Sequence, residues 1–244
     1  MKNLKLTLQY DGTKYHGYQI QPQAVTIQKC IQDAIFAVCG EQIQITGCSR
    51  TDAGVHAAEY VCSFKTDSPI PAERFPIVIN HKLPDDIYAM RCEEVDINFN
   101  ARFDTKYKTY RYLINESSVS NVFRRNYEWQ LGKKLDIERM TEAAEYIIGK
   151  HDFKCFMTSG AVVQSTVRTV YSLDIVKNGD QIEIYISADG YLYNMVRIIV
   201  GTLVNVGTGV TEPGHIKEII ESHSRENAGA TAPPQGLYLY KVVY

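Results

Sequence analysis

The sequence predicts an α+β protein built of two α+β units of similar plan, joined near residue 105 and sharing a mainly antiparallel sheet. Three observations predict it. Short stretches alternate apolar and polar residues with period two, as half-buried strands do. Between them lie segments whose apolar residues recur at helical spacing. In the first half these alternate strand-helix-strand-strand-helix-strand, the order of ferredoxin or RRM-like folds, and the same texture returns in the second half. The expected units are residues 1–105 and 106–244, with no linker rich in Pro, Gly or Ser between them.

Taken in order, Leu4 to Gln9 reads Leu-Lys-Leu-Thr-Leu-Gln, a strand with one buried face. Thr26 to Cys39 puts Ile27, Cys30, Ile31, Ala34, Ile35 and Val38 on one helical stripe, with Thr26 as the expected N-cap and Gly40 as the left-handed C-terminal cap. Ile43 to Thr46 and Glu59 to Lys65 are expected strands flanking a loop from Ser49 to Ala58, followed by a helix over Pro71 to Asn80 and a strand over Ile87 to Val95. In the second half, strands are expected over Thr109 to Ile114, Val170 to Val176, Gln181 to Ser187 and Leu237 to Tyr244, with Asn178-Gly179 as a hairpin signal. Helices are expected over Asp136 to Gly149 with Asp136 as cap, over the apolar run Met195 to Val206, and over His215 to Ser222.

Of 244 residues, 45% are apolar and 22% charged, the profile of a globular protein. No apolar run of 18 residues exists to span a membrane, and the N-terminal stretch lacks the core of a signal peptide, so a cytoplasmic protein is expected. Six scattered cysteines form no C-x-x-C pair and are expected to be reduced thiols; His16, His56 and His151 are too dispersed for a zinc site. The net charge of −2 is not the footprint of a nucleic-acid binder. Local runs oppose it. Residues 100–111 carry Arg102, Lys106, Lys108 and Arg111 against Asp104, and residues 121–134 carry Arg124, Arg125, Lys133 and Lys134 against Glu128.

The most informative stretch is Gly47-Cys48-Ser49-Arg50-Thr51-Asp52-Ala53-Gly54-Val55-His56-Ala57. It is rich in small residues, which lets a ligand approach the backbone, and it sets a cation, a carboxylate and a histidine close together. By spacing alone Asp52 reads first as a turn residue paired with Arg50, and second as a catalytic carboxylate.

Arg50-Thr51-Asp52-Ala53-Gly54-Val55-His56 resembles the core motif of the tRNA pseudouridine synthase A family over seven consecutive residues. The resemblance continues through Tyr10 to Gln19, Thr26-Ile27-Gln28, Asn100-Ala101-Arg102-Phe103, Tyr110-Arg111-Tyr112, Asn194 to Gly201 and Ala230 to Leu237. Tyr18 stands where the family often has Trp, and Cys48-Ser49 where it often has smaller residues. The resemblance implies an isomerase that converts uridine to pseudouridine at positions 38, 39 and 40 of the tRNA anticodon stem-loop. It implies a homodimer, tRNA as partner, no cofactor, and an active-site cleft between the two units.

The same resemblance implies roles for individual residues. Asp52 is the nucleophile, attacking either the base or the ribose, and must be ionised to act. Arg197 is its counter-ion, although an Arg on so apolar a stretch also reads as one that snorkels. Tyr110 stacks on the flipped uracil; among Tyr107, Tyr110 and Tyr112 the residues themselves offer no choice. Arg50 fills the space left by the base, whose removal from the stack costs roughly a few kcal/mol. Arg168, Lys106 and Lys108 are substrate-binding candidates, with Arg124 and Arg125 as further phosphate contacts. His56 is expected to bond within its loop and not to be catalytic.

Two other readings compete. An RNA-binding protein without activity would carry the same basic and aromatic residues but would not need Asp52, Arg197 and Tyr110 together. A glycosidase or nucleoside hydrolase would need a second carboxylate, for which Glu59 is the neighbour in sequence.

Overall fold

Leu4, Leu6 and Leu8 are all fully buried, and their alternation makes β1 (Lys2–Tyr10) the middle of a sheet in the computed structural model, which describes residues 1–161 and 163–244. The fold is α+β with mainly antiparallel strands. It divides into two units, Met1–Lys106 with Tyr238–Tyr244, and Tyr107–Leu237.

In the first unit β1 is followed by α1 (Ile27–Cys39), β2 (Thr46–Gly47), β3 (His56–Thr66), α2 (Phe75–Asn80) and β4 (Ile87–Val95). β1 lies between β3 and β4, antiparallel to both, and β2 pairs antiparallel with β3. That is the 4-1-3-2 arrangement of a ferredoxin-like unit. β1 thus has a neighbour on each edge, and its second face is covered in part as well. Thr7 and Asn3 are buried there, and Asn3 Nδ2 donates to the Asp96 and Phe99 carbonyls at 2.9 Å.

Three expectations need correction here. Thr26 takes the N-cap position with extended backbone, but its side chain caps nothing. The first amides of α1 are met instead by backbone: Ile27 N–H donates to the Gly17 carbonyl at 3.2 Å and Gln28 N–H to the Tyr18 carbonyl at 2.9 Å. The strand expected over Ile43 to Thr46 shrinks to Thr46–Gly47, because side chains of α1 take its carbonyls. Gln32 Nε2 donates to Ile43 O at 2.6 Å and Gln28 Nε2 to Ile45 O at 3.3 Å. The helix expected from Pro71 begins as a 3-10 turn over Ala72–Arg74 and becomes α-helical at Phe75. Gly40 does cap α1 in the left-handed region, at φ 70°.

The second unit holds β5 (Tyr107–Asn115), β6 (Trp129–Gln130), α3 (Ile137–Glu145), β7 (Gly149–Asp152), β8 (Val167–Asn178), β9 (Gln181–Ala188), α4 (Met195–Gly207) and α5 (His215–Ser222). Its strands run β5-β9-β8-β7, each antiparallel to the next, with β6 beside β5. Asp136 caps α3 by accepting from Arg139 N–H at 3.1 Å. That helix stops at Glu145, short of the expected Gly149. Its last amides tighten onto Ala143 and Ala144, and Gly149, at φ 113°, starts β7 instead. Gly179 at φ 62° opens the two-residue loop that joins β8 to β9. α4 is buried along almost its whole length and packs against α3.

The chain then ends in β10 (Leu237–Val243), whose Tyr238 and Leu239 pair in parallel with His56 and Ala57 of β3. All six cysteines are free. No helix among the described residues is long and apolar enough to cross a membrane.

Candidate active site

Asp52 begins a tight turn. Val55 N–H donates to the Asp52 carbonyl at 3.1 Å, and Gly54 stands at φ 76°, the positive φ that glycine supplies at the third position of such turns. The turn-former reading of Asp52 is therefore realised in its backbone, while its half-buried side chain is set apart from that bond. β3 starts three residues early, at His56, so the motif ends inside a strand and not in the expected loop.

The segment 10–18 grips this turn from both sides. The Tyr10 hydroxyl lies 2.8 Å from Thr51 Oγ1, Tyr18 N–H donates to the Thr51 carbonyl at 3.0 Å, and Gly54 N–H donates to the Tyr15 carbonyl at 3.3 Å. The two backbones are in direct contact. A Cβ on Gly12 would lie 2.0 Å from the Val55 carbonyl oxygen, and one on Gly17 would lie 2.6 Å from the Thr51 carbonyl oxygen. Beneath, Tyr18 stacks on Tyr60 at 4.5 Å, and the Tyr60 hydroxyl donates to the Ser49 carbonyl at 2.6 Å. Burial pushes both phenols' pKa values up, so these are neutral structural tyrosines. Tyr18 and Cys48 are buried in this floor. Arg50, two residues before the turn, is exposed.

His56 is 2% exposed and stacks on Tyr238 at 4.7 Å. Its Nδ1 accepts from the Gly12 amide at 3.1 Å, a partner on another segment and not one within its own loop as expected. Lys106, also in this unit, is exposed, and its amide donates to the Val243 carbonyl at 2.8 Å. Glu59 faces Arg91 at 3.5 Å and accepts from the Val242 amide, a paired strand carboxylate.

In the second unit Tyr110 sits mid-strand on β5, 5% exposed, with its ring edge-on to Tyr191 at 4.8 Å. The Tyr191 hydroxyl stands 2.7 and 2.6 Å from the carbonyls of Lys108 and Ile186, with one proton to donate between them, and this holds its ring beside Tyr110. The neighbouring tyrosines differ. Tyr112 is fully buried and its hydroxyl donates to the Pro233 carbonyl at 2.7 Å, whereas Tyr107 meets Tyr171 at the strand's start. This separates three residues that the sequence leaves equivalent.

Arg197, half-buried on the first turn of α4, donates through Nε to the Ala232 carbonyl and through Nη1 to Asn194 Oδ1, both at 2.7 Å. Asn194, at φ 61°, is held in turn by its Nδ2 donating to Thr158 Oγ1 at 2.8 Å. The segment 229–236 therefore anchors both Arg197 and Tyr112. It does so through close backbone packing: a Cβ on Gly201 would lie 1.8 Å from the Ala230 carbonyl oxygen. Arg168, on β8, is folded back on its own strand, with Nη1 donating to Ser165 and Val167 carbonyls at 3.0 and 2.6 Å.

Two of the four cations in the second basic run are answered by acids. Arg124 faces Glu128 at 3.5 Å, and Lys134 pairs with Glu116 and Asp180 at 3.0 and 2.7 Å. The residues that sequence reasoning passed over are the supports: Tyr10, Gly12, Gly17, Asn194 and Tyr191. The close run of glycines and tyrosines from Tyr10 to Tyr18 was the available signal.

The model of a family described as tRNA pseudouridine synthase matches residues 7–104 and 143–244. The chain is similar, over all 244 residues and the full length of each relative, to tRNA pseudouridine synthase A of Thermoanaerobacter sp. (strain X514), at 49% identity. It is likewise similar to tRNA pseudouridine synthase A 2 of Clostridium perfringens (strain 13 / Type A), at 50%. A solved structure, that of the archaeal box H/ACA sRNP Nop10-Cbf5 complex, covers 83% of this chain and 43% of that one. Its TM-score of 0.39 and 11% identity are too low to carry an argument. On the matched residues and the full-length identity, the chain belongs to the tRNA pseudouridine synthase A family, isomerases that act on tRNA uridines.

Proposed function

We propose that the protein converts uridine to pseudouridine at positions 38, 39 and 40 of the tRNA anticodon stem-loop, with Asp52 as the nucleophilic carboxylate. The observation that carries this reading is the Asp52 turn. A carboxylate-bearing turn is clamped by two backbone contacts and three hydrogen bonds from the segment 10–18, far more constraint than a surface turn requires. Preorganisation of that kind is what a covalent step needs, since a loosely held nucleophile loses rate.

In this scheme Asp52 attacks the base or the ribose anomeric carbon, the bond between N1 and C1′ breaks, and the freed uracil turns. A bond then forms between C5 and C1′ and the bond to Asp52 breaks, returning the free carboxylate; C5 gives up its proton and N1 takes one up, so the isomer keeps every atom of the uridine. The rearrangement is internal, so no cofactor is consumed. Tyr110 stacks on the uracil, Arg197 balances the charge of Asp52, and Arg50 occupies the space left when the uridine flips out of the stem. Arg168, Lys106 and Lys108 contact the RNA backbone. The enzyme works in the cytoplasm as a homodimer; light scattering that finds only a 27.7 kDa species at micromolar concentration would exclude the dimer.

The test is position-resolved chemical labelling of pseudouridine on unmodified tRNA transcripts, with wild type and Asp52→Asn. Product in the anticodon arm with wild type, and none with an Asp52→Asn protein that still binds tRNA, is expected. Activity that survives the substitution would remove Asp52 from its role, and product only at other positions would remove the anticodon assignment.

A further inference from the structure

We infer that His56 is a positioning residue for Asp52, its unprotonated Nδ1 holding the Gly12 backbone against the Asp52 turn; this rests on the reading of Asp52 as nucleophile. His56 follows the turn directly and is buried at 2% exposure, stacked on Tyr238. Gly12 touches the same turn from the opposite side, close enough that a Cβ on it would overlap the Val55 carbonyl oxygen. Besides the bonds of Tyr10, Tyr15 and Tyr18, the Gly12 N–H donates to His56 Nδ1 at 3.1 Å and joins the two sides. The turn is thus closed through a ring of Asp52, Val55, His56 and Gly12, in which His56 supplies a side-chain link beside that of Tyr10 to Thr51.

Nδ1 also stands 3.1 Å from Asp11 Oδ1. That oxygen accepts from the Thr13 amide at 2.9 Å and the Thr13 hydroxyl at 2.5 Å, which hold Asp11 to its own turn. The Gly12 N–H is directed at Nδ1, and a nitrogen that accepts it offers a lone pair, with Asp11 Oδ1 at the same distance as the competing partner. The proton of the neutral ring then belongs on Nε2. An unmet buried amide would be costly, and the lowest-energy relief is movement of Gly12 away from Val55, which loosens the nucleophile's turn.

The variants His56→Asn and His56→Ala separate positioning from bulk packing. Asn can place its Oδ1 where Nδ1 stood and accept from Gly12; Ala cannot. His56→Ala is expected to lower kcat on the order of a hundredfold, with KM for tRNA changed by less than about threefold, since only placement of the reacting group is lost. His56→Asn is expected to recover most of that loss. In wild type at neutral pH, nitrogen-15 NMR of the imidazole should show Nδ1 without a proton and Nε2 with one. His56→Ala with wild-type kcat, or Nδ1 found protonated, would overturn the inference; so would a folded His56→Asn as slow as His56→Ala. Should His56→Ala fail to fold, His56→Asn and the NMR tautomer still decide. Asp52→Asn measured in parallel keeps the two ideas apart: its activity would sink the nucleophile reading, while an inactive Asp52→Asn beside a fully active His56→Ala sinks only the role of His56.

Discussion

The Tyr10 hydroxyl lies 2.8 Å from Thr51 Oγ1, inside the protein and one residue from Asp52. Both groups are buried, so the bond ties the end of β1 to the turn that carries the carboxylate. Tyr10→Phe and Thr51→Val should each lower stability by about 1 kcal/mol, the usual worth of such a bond. Urea unfolding should show the double variant losing about 1 kcal/mol less than the sum of the singles, as expected for one shared contact. Both singles should lower kcat more than they raise KM. Additive losses would mean that the two hydroxyls do not act as a pair.

Glycines separate placement from stability. Gly12→Ala forces a Cβ to 2.0 Å from the Val55 carbonyl oxygen, where only backbone can yield, and Gly17→Ala meets the Thr51 carbonyl at 2.6 Å with φ at 86°. Both should cost kcat on the order of a hundredfold, by displacing the turn. Gly40→Ala is the control. Its φ of 70° costs about 1–2 kcal/mol of strain, but no atom lies within 4 Å, so thermal stability should fall while kcat holds. Equal kcat losses in all three would show that general destabilisation, and not the turn, sets activity.

Much of this was legible in the sequence, and what was not has a common cause. Ile87–Val95 and His215–Ser222 have the bounds that their periodicity predicts, since one buried face decides each of them. The seven residues from Arg50 to His56 carried the family. What sequence could not carry was side chains acting on distant backbone. Gln28 and Gln32 consume the carbonyls that would have made a strand of Ile43–Ile45, and the Gly17 and Tyr18 carbonyls do the capping expected of Thr26. In the candidate site, Tyr107, Tyr110 and Tyr112 have the same identity and similar spacing. Partners remote in sequence, Tyr171, Tyr191 and Pro233, tell them apart.

A second buried carboxylate should govern stability in acid without touching chemistry. Glu116 at the end of β5 is enclosed and meets Lys177 at 2.7 Å, Lys134 at 3.0 Å and the Leu135 amide at 3.1 Å. Burial opposes its charge, but the two lysines and the amide outweigh it and hold its pKa below the ordinary value. A lowered folded pKa adds stability that is complete above the unfolded value, about 4.3, and disappears as pH falls through the folded one. Glu116→Gln should therefore cost about 2 kcal/mol at pH 7, as charged hydrogen bonds do. The gap from wild type should narrow steadily below about pH 4. Melting curves across pH check this, with kcat at pH 7 unchanged. A gap independent of pH would mean that packing, not charge, makes the difference.

Arg197 can be tested through its geometry and not merely its charge. Its guanidinium uses two different nitrogens, Nε toward the Ala232 carbonyl and Nη1 toward Asn194 Oδ1, and so leaves α4 in one fixed direction. A lysine keeps the charge but offers a single ammonium, which cannot reproduce the fork. Arg197→Lys should therefore lose most of the activity that Arg197→Ala loses, with tRNA affinity less affected than kcat in both. Asn194→Gly retains the positive φ and removes both the Oδ1 acceptor and the Nδ2 bond to Thr158, so it should cost less rate than Arg197→Lys while lowering the melting temperature modestly. Single-turnover rates on tRNA transcripts rank the three. If Arg197→Lys matches wild type, the charge alone suffices and the orientation set by Ala232 and Asn194 has no part in the reaction; if Asn194→Gly is as slow as Arg197→Ala, the direction of the guanidinium matters as much as its presence.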